Sequence, residues 1–230
     1  NTGNGVFSSV ILTSPANGRQ VGMVLPFDAD GNGVDDVISC EVDAFPVLYS
    51  KISLVEGTPV TGPFLREAFY TARRAENVAA GDANSDGFTD LIFAAFGVSG
   101  EPTIRVVELL PVAPFSQLPV EVALDNAVSR VSMWALGDLD GDGDVDVVVG
   151  DAVAGVITWA VADASGGLAA AAAPLATFVP GTIVSVAVAD MTGDAALDIV
   201  ACLADGNVTF VVSEGRGQFG AAARAASDVL

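Results

Sequence analysis

The chain contains no histidine, and it has only 9 lysine and arginine residues against 29 aspartate and glutamate residues, for a formal net charge of −20. Without histidine there is no Ser-His-Asp or Cys-His set for nucleophilic catalysis, and the commonest general base is missing. So acidic a surface repels nucleic-acid phosphates and anionic lipid headgroups. The composition therefore argues against an enzyme, excludes a nucleic-acid partner, and suits a protein that binds cations.

Long apolar runs and cysteines are also scarce. No stretch of 18 apolar residues exists, so we expect no insertion into a membrane. The two cysteines, Cys40 and Cys202, occupy one position of an internal repeat, where the other copies have Ala94 and Gly150. We expect both to be small buried core residues with free thiols, because equivalent positions in different repeats are normally too far apart for a disulfide, which is the alternative.

The internal repeat is the main feature of the sequence. Four acidic segments align without gaps, and they begin at Asp28, Asp82, Asp138 and Asp190. A second marker, a phenylalanine or leucine near small residues, recurs at Phe7, Phe64, Phe115, Leu168 and Phe219. Because both markers keep the same period of roughly fifty residues, they predict repeats at about 8–64, 65–115, 116–168 and 169–219, flanked by 1–7 and 220–230, in one domain spanning residues 1–230.

Each repeat has the pattern of β-strands. Short apolar runs rich in β-branched residues precede the acidic segments, at Val21–Phe27, Val78–Gly81, Val128–Gly137 and Ile183–Ala189. Further runs follow each segment. The composition of the alanine-rich stretch Leu168–Ala173 would suit a helix, which is the alternative there, but its position in the repeat matches a loop and an outer strand. About four strands per repeat predict an all-β protein of four-stranded antiparallel blades, either a small closed β-propeller or part of a larger one.

The acidic segments have the spacing of a calcium-binding loop. Ca²⁺ prefers six to eight oxygen ligands, and carboxylates at positions 1, 3 and 5 of a tight loop point inward, with glycine at position 6 allowing the bend. A carbonyl at position 7 and a carboxylate at position 9 complete the set. An EF-hand would need glutamate at position 12 and a following helix, whereas position 12 is Ser39, Phe93, Val149 and Ala201.

The predicted ligands follow this pattern in every copy. They are Asp28, Asp30, Asn32, the carbonyl of Val34 and Asp36 in the first loop; Asp82, Asn84, Asp86, the carbonyl of Phe88 and Asp90 in the second; Asp138, Asp140, Asp142, the carbonyl of Asp144 and Asp146 in the third; and Asp190, Thr192, Asp194, the carbonyl of Ala196 and Asp198 in the fourth. The alternative is a solvated turn of aspartate and glycine.

The four loops differ in predicted strength. The third has four carboxylates and should bind Ca²⁺ most tightly, whereas the first and second each have one amide, Asn32 or Asn84. The fourth has Thr192 at position 3 and Ala195 where glycine is expected, and alanine is strained in a left-handed conformation. We therefore predict three calcium sites and a degenerate fourth loop that is open, weak or empty.

This D-x-[DN]-x-[DN]-G-x-x-D loop, followed directly by an apolar strand and repeated at this period, resembles the FG-GAP and VCBS repeats of integrin-α-like β-propellers. In that family the calcium loop joins the first two strands of a blade, and propellers typically carry seven blades. The segments 3–7 and 215–219 look like the family's lead into an outer strand. The resemblance implies a calcium-stabilised module acting outside the cell, at the cell surface or in the secretory lumen.

The sequence therefore predicts a non-catalytic binding or scaffolding module for protein–protein or cell-surface interaction, with a protein or glycan partner. A carbohydrate-binding lectin is one alternative, although Trp134 and Trp159 are the only tryptophans. A structural subunit of a larger assembly is another. An unclosed stack of blades would expose the faces of its end sheets, so an oligomer or a larger propeller assembly is also expected.

Overall fold

The computed structural model describes residues 20–27, 34–42, 50–56, 64–71, 77–87, 89–96, 102–107, 120–123, 128–129, 131–163, 168–170 and 174–224. Throughout these ranges the regular structure is β, with strands β1 to β17 and no helix. It follows that none of the described segments is a helix capable of crossing a membrane. The all-β prediction is confirmed.

The strands form four antiparallel sheets, and each sheet is built from one continuous stretch of chain. Sheet 1 contains β1 (Gln20–Phe27), β2 (Asp36–Val42), β3 (Ser50–Glu56) and β4 (Phe64–Thr71). Sheet 2 contains β5 (Asn77–Gly81), β6 (Asp90–Phe96), β7 (Pro102–Val107) and β8 (Val120–Ala123). In both sheets, strands consecutive in the chain are neighbours in the sheet.

The other two sheets follow the same order. Sheet 3 contains β9 (Met133–Gly137), β10 (Asp146–Asp151), β11 (Val156–Ala162) and β12 (Leu168–Ala170), with the short β13 (Ala176–Thr177) also paired to β11. Sheet 4 contains β14 (Ile183–Ala189), β15 (Asp198–Leu203), β16 (Val208–Gly215) and β17 (Gln218–Arg224). The marker residues Phe64 and Leu168 begin fourth strands and Phe219 lies near the start of one, whereas Phe7 and Phe115 lie outside the described residues.

Strand register repeats from sheet to sheet. The last residue of each first strand pairs with the ninth residue of the acidic loop, in the pairs Phe27–Asp36, Gly81–Asp90, Gly137–Asp146 and Ala189–Asp198. Residues that align in the four segments therefore occupy the same position in their respective sheets. In every sheet the acidic loop joins the first two strands, as the family resemblance implied.

The start of β9 corrects one strand boundary. The sequence predicted a strand over Val128–Gly137, but β9 begins at Met133. Val128 and Val131 are buried all the same, and Ser129 donates hydrogen bonds from its backbone N–H and its hydroxyl to Asp151 Oδ2, at 2.6 and 2.7 Å. Val128 and Val131 are therefore part of the core, but the backbone N–H of Ser129 bonds to a side chain.

The core lies between consecutive sheets. One cluster joins sheets 2 and 3 and includes Ile92, Ile104, Val147 and Val149. A second joins sheets 3 and 4 and includes Leu139, Val148, Ile157, Ile199 and Val211. All six residues of β10 are buried because sheet 3 is covered on both faces, whereas in β14 only Ile183 and Val186 are buried. Sheet 4 is therefore covered on one face in this structure.

The cysteine prediction is corrected by the same arrangement. Cys202 has a free thiol, as expected, but it is exposed and not part of the core. It lies on the uncovered face of sheet 4, so the small residue at that repeat position meets solvent there. Its counterpart Gly150 in sheet 3 is buried, and a Cβ built on Gly150 would lie 3.1 Å from Val186 Cγ1 of sheet 4. The side chain of Cys40 lies outside the described residues.

Candidate metal centre

Three acidic loops are described over most of their length: 82–90 apart from residue 88, 138–146, and 190–198. Of the first loop the structure describes the last three residues, where Val34 is half-buried and Asp36 is fully buried. The predicted ligands Asp28, Asp30, Asn32 and Phe88 lie outside the described residues. The geometry of the site is therefore taken from the second, third and fourth loops.

The carboxylate at position 1 organises each of these loops. In all three, the backbone N–H of position 6 donates to one oxygen of the position 1 aspartate: Gly87 to Asp82 at 2.9 Å, Gly143 to Asp138 at 3.1 Å, and Ala195 to Asp190 at 3.0 Å. Further backbone N–H groups donate to the other oxygen. Because a carboxylate can accept several such bonds, these contacts curl the loop around its first side chain.

The bend also requires left-handed residues at positions 4 and 6. In the third loop both are glycines, with φ of 82° at Gly141 and 100° at Gly143. The second loop has Ser85 at 53° and Gly87 at 87°, and the fourth has Gly193 at 80° and Ala195 at 72°. The fourth loop thus adopts the conformation of the others at the expense of placing alanine in a region that suits glycine. Of the open, weak or empty states predicted for this loop, the structure does not show the open one, because the Ala195 N–H still bonds to Asp190. That the loop binds calcium weakly or not at all stays a prediction.

The aspartate at position 9 has a structural role that the sequence did not reveal. Asp146 is fully buried. Its Oδ2 accepts from the backbone N–H of Leu139 at 2.8 Å, and its Oδ1 accepts from that of Ala162, in β11, at 2.9 Å. Asp198 makes the same pair of contacts with Met191 and with Ser213 in β16. The residue therefore fastens the start of the loop to the third strand of its own sheet.

In the third loop the carboxylates converge. Asp138, Asp140 and Asp146 each offer an oxygen, and these oxygens lie within 4.8 Å of one another. Oxygens that share one Ca²⁺ at 2.3–2.6 Å must lie within about 5 Å of each other. The donor set is all oxygen and anionic, so the positions and the chemistry both fit a hard divalent cation.

Burial and crowding raise the pKa of two of these carboxylates, Asp146 and Asp140. The pKa of Asp146 rises from 3.8 to about 6, mainly because burial disfavours the charged form, with added repulsion from Asp140 and Asp142. The pKa of Asp140 is raised for the same reasons, with Asp142 and Asp138 as the charged neighbours. Both shifts are those of carboxylates that a nearby cation would stabilise.

The other predicted ligands of the third loop are not in this group. Asp142 Oδ1 accepts a hydrogen bond from the backbone N–H of Asp144 at 2.9 Å, while its own N–H donates to Asp140 Oδ1 at 3.2 Å. Asp144, whose carbonyl is the predicted ligand, has a buried side chain. The structure thus brings together positions 1, 3 and 9 of the predicted set, and it leaves position 5 bonded within the loop.

The second and fourth loops bring fewer carboxylates together. Among the described residues, the third loop alone gathers three acidic groups at metal-binding distances. In the second loop, Asn84 Nδ2 lies 3.4 Å from Asp86 Oδ2, as a donor to it. In the fourth, backbone N–H groups of residues 192–195, led by Gly193, lower the pKa of the exposed Asp190. Thr192 supplies no carboxylate, and Asp194 Oδ1 accepts from the Ala196 N–H at 3.0 Å.

The third and fourth loops line one cleft of about 240 Å³. Asp138 and Asp140 form one side and Asp194 and Ala195 the other, and Arg216 lies at the tip of the β16–β17 turn. Arg216 itself has a positive φ of 54°. The candidate cation site and Arg216 therefore line one opening at the edge of sheets 3 and 4.

Comparison with known protein families agrees with this geometry. Residues 138–201 match the FG-GAP-like repeat. The match begins at the first ligand of the third loop and ends in β15, so it contains the third and fourth loops and the contact between sheets 3 and 4. The predicted resemblance to the FG-GAP family is confirmed over this segment. No curated protein matches the chain.

Proposed function

We propose that this protein is a calcium-stabilised FG-GAP-like interaction module and not an enzyme. The observation that carries the proposal is the convergence of Asp138, Asp140 and Asp146 within 4.8 Å in the segment that matches the FG-GAP-like repeat. FG-GAP repeats generally bind calcium, and the loop supplies the hard anionic oxygens that this ion prefers. A bound cation would offset the burial and the repulsion from Asp140 and Asp142 that raise the pKa of Asp146.

We further propose that the sheets are the blades of a β-propeller. The support is their regularity: consecutive antiparallel sheets have the same strand order and register, and they pack on one another in chain order through apolar faces. Propellers are built by such radial repetition of four-stranded sheets. In this arrangement the calcium loops of neighbouring blades lie side by side, and the Val145 N–H at the end of the third loop donates to the carbonyl of Asp82 at 3.2 Å.

The binding surface that we favour is the cleft between the third and fourth loops. It combines a cation site with the side chain of Arg216, so it suits a partner with a carboxylate near a second polar group. We propose a protein or glycan partner and a location outside the cell, at its surface or in the secretory lumen, where calcium is abundant enough for weak sites.

The described tryptophans give little support to the lectin alternative. Trp159 is buried and packs edge-on against Phe219, with ring centroids 5.2 Å apart. Trp134 is half-buried against the core between sheets 2 and 3. A sugar-binding platform needs an accessible aromatic face. A structural role in a larger assembly is the second candidate, because apolar residues on the last sheet, such as Met191 and Val208, are exposed.

Calcium titration by calorimetry tests the proposal directly. We expect binding to the wild-type protein and a rise in melting temperature, because a ligand that binds only the folded state stabilises it. Asp138→Asn is the variant to compare, since it keeps the acceptor that holds the Gly141 N–H but removes charge from the cluster. Identical melting curves in calcium and in chelator would contradict the proposal. Asp163→Asn, exposed and outside the loops, is the control and should bind calcium as the wild type does.

A further inference from the structure

The contact between consecutive sheets repeats, residue for residue. We call the face of a sheet that meets the following sheet its rear face. In sheet 2 the rear face includes Ala83, Ile92 and Ile104, all at most 1% exposed in the cluster shared with sheet 3. In sheet 3 the equivalent residues are Leu139, Val148 and Ile157, at most 2% exposed in the cluster shared with sheet 4. Each rear face is thus an apolar surface that is completed by another sheet.

Sheet 4 has the same rear face without a covering sheet. Strand register identifies its members. Val200 is equivalent to Val148 of sheet 3, because the two residues have the same place in the pairing of the second and third strands. By the same comparison, Val208 is equivalent to Ile157. Met191 is the second residue of its loop, as Leu139 is. Here Met191 is 54% exposed and Val208 is 39% exposed. Positions that are buried in sheets 2 and 3 are therefore open in sheet 4.

Sheet 1 has the complementary open surface. We call the face that meets the preceding sheet the front face. Val186 belongs to the front face of sheet 4, packs in the core shared with sheet 3, and is 7% exposed. Its equivalent in sheet 1 is Val24, because Val24 pairs with Ser39 as Val186 pairs with Ala201. Val24 is 57% exposed, and Pro26, two residues on, is exposed as well.

We propose that the rear face of sheet 4 binds the front face of sheet 1 of a second copy of this chain. The interface already present between sheets 2 and 3 and between sheets 3 and 4 specifies the occupant, since a rear face of this pattern is covered by a front face in both places. Each copy has one open face of each kind, and Val24 and Met191 are both exposed, so the two faces do not cover each other within one copy. A head-to-tail contact of this kind is heterologous and generates rings or filaments.

Charge sets the conditions for this association. Each copy carries a net charge of −20, so two copies repel at low ionic strength even though the contacting faces are apolar. Salt screens this repulsion, and the burial of apolar surface supplies the attraction. The association should therefore strengthen as salt is added, which is the opposite of a contact held by ion pairs. It does not depend on the calcium proposal, because no loop carboxylate is part of either face as defined here.

Mass in solution tests the proposal. Light scattering should give multiples of the 23.1 kDa chain mass for the wild type, rising with protein concentration. Met191→Glu closes the rear face and Val24→Glu the front face, so each variant alone should stay at the mass of one chain. Each variant retains the face that the other lacks, so mixing them should restore a two-chain species. Val153→Glu is the control, because Val153 is 63% exposed in the β10–β11 turn and belongs to neither face.

The reactivity of the Cys202 thiol measures whether the rear face of sheet 4 is covered. A Cys40→Ala background leaves Cys202 as the sole thiol, and alanine is the residue that the second repeat has at this position. If copies associate through the wild-type faces, alkylation of Cys202 should slow as protein concentration rises. Met191→Glu should abolish this protection. A single-chain mass at all concentrations would overturn the proposal. A reactive Cys202 would then mean that the rear face stays uncovered, and a protected Cys202 would mean that sheet 1 of the same copy covers it. Association that persists in both single variants, with circular dichroism unchanged, would also overturn it, since another surface would then be responsible.

Discussion

Gly137 lies directly against Leu197 of the next sheet: a Cβ built on Gly137 would come 2.7 Å from Leu197 Cδ1 and 3.0 Å from Val188 Cγ2. Gly81 has the same place one sheet earlier, where a Cβ would lie 3.3 Å from Val145 Cγ1. Leu197 and Val145 are both the eighth residue of an acidic loop. The glycine before a loop therefore makes room for the loop of the following sheet.

Replacement of this glycine should destabilise the protein. We expect Gly137→Ala to lower the free energy of unfolding by about 1–3 kcal/mol, because an added methyl group overpacks a filled core and Val188 has little freedom to move. Gly81→Ala should cost less, since its closest contact is longer. Urea denaturation measures both. Gly220→Ala is the control, because the nearest atom to its Cβ would be 3.5 Å away. Equal losses in all three variants would show that packing between the sheets is not the cause.

The third loop should provide most of the calcium-dependent stability. At a calcium concentration 100 times the dissociation constant, a single site adds about 2.7 kcal/mol to the unfolding free energy. We expect Asp140→Asn to remove most of the difference in melting temperature between calcium and chelator, because Asp140 is one of the three converging carboxylates. Asp194→Asn, in the fourth loop, should leave most of it. The opposite order would mean that the fourth loop is the principal site.

Ala195→Gly should stabilise the fourth loop. A left-handed alanine costs roughly 1–2 kcal/mol relative to an unstrained conformation, and glycine adopts the φ of 72° found at this position without that penalty. The melting temperature should rise, and calcium binding should gain a contribution from this loop. Ala196→Gly is the matched control, because Ala196 is not among the described residues with positive φ, and it should be neutral or destabilising. A fall in stability for Ala195→Gly would show that the methyl group has a packing role.

The stability of the protein should depend on pH in opposite ways with and without calcium. The pKa of Asp146 is raised from 3.8 to about 6 in the fold, so the ionised form is disfavoured there and stability is lost as pH rises through this interval. In chelator, melting temperature should therefore increase as pH is lowered from 7 to 5. In calcium it should fall, because protons compete with the ion for the carboxylates. The lowered pKa of Asp190 acts only at lower pH, below its usual value of 3.8.

A melting series at constant ionic strength, repeated with Asp146→Asn, would test this expectation. The variant has no group to titrate at position 146, so its melting temperature in chelator should change less with pH between 5 and 7. A wild-type curve in chelator that declines on acidification would contradict the assignment.

Thr158 carries a buried hydroxyl without a partner in the described structure. The residue is 1% exposed and lies in β11 among core residues. Because an unsatisfied buried hydroxyl costs about 1–3 kcal/mol, Thr158→Val should be neutral or stabilising. Thr158→Ser keeps the hydroxyl and loses the methyl group, so it should cost about 1 kcal/mol. Chemical denaturation separates the two, and a destabilised valine variant would reveal a partner for the hydroxyl, such as a buried water.

The sequence predicted the repeating parts of the fold well. Aspartate spacing located the loops between the first two strands of each sheet, because the ligand pattern and the strands after it share one register. The end of β9 at Gly137 was predicted, but its start was not, since an apolar run alone does not distinguish a strand from irregular chain that buries single residues such as Val128 and Val131. Cys202 was predicted to be buried because its position in the repeat is occupied by small residues. Burial at that position depends on a following sheet that covers it, as sheet 4 covers Gly150, and the spacing of residues within a repeat does not specify this.

The candidate site was predicted only in part. Alternation at positions 1 and 3 follows from the loop itself, so Asp138 and Asp140 were identifiable. Asp146 was identified as a ligand, but its hydrogen bond to Ala162 joins residues 16 apart, across a hairpin whose register the sequence does not specify. The inward carboxylate of Asp142 was also predicted, but local backbone contacts hold it within the loop.

The two hydrogen bonds of Asp146 have a mechanical consequence. Peeling β11 away from its sheet must break the bond to Ala162, and the same side chain holds the entrance of the loop at Leu139. Load applied to β11 therefore reaches the entrance of the loop through the Asp146 carboxylate, in addition to the backbone pairing of β11 with β10. The force needed to separate β11 from its sheet should therefore change when a cation binds this carboxylate.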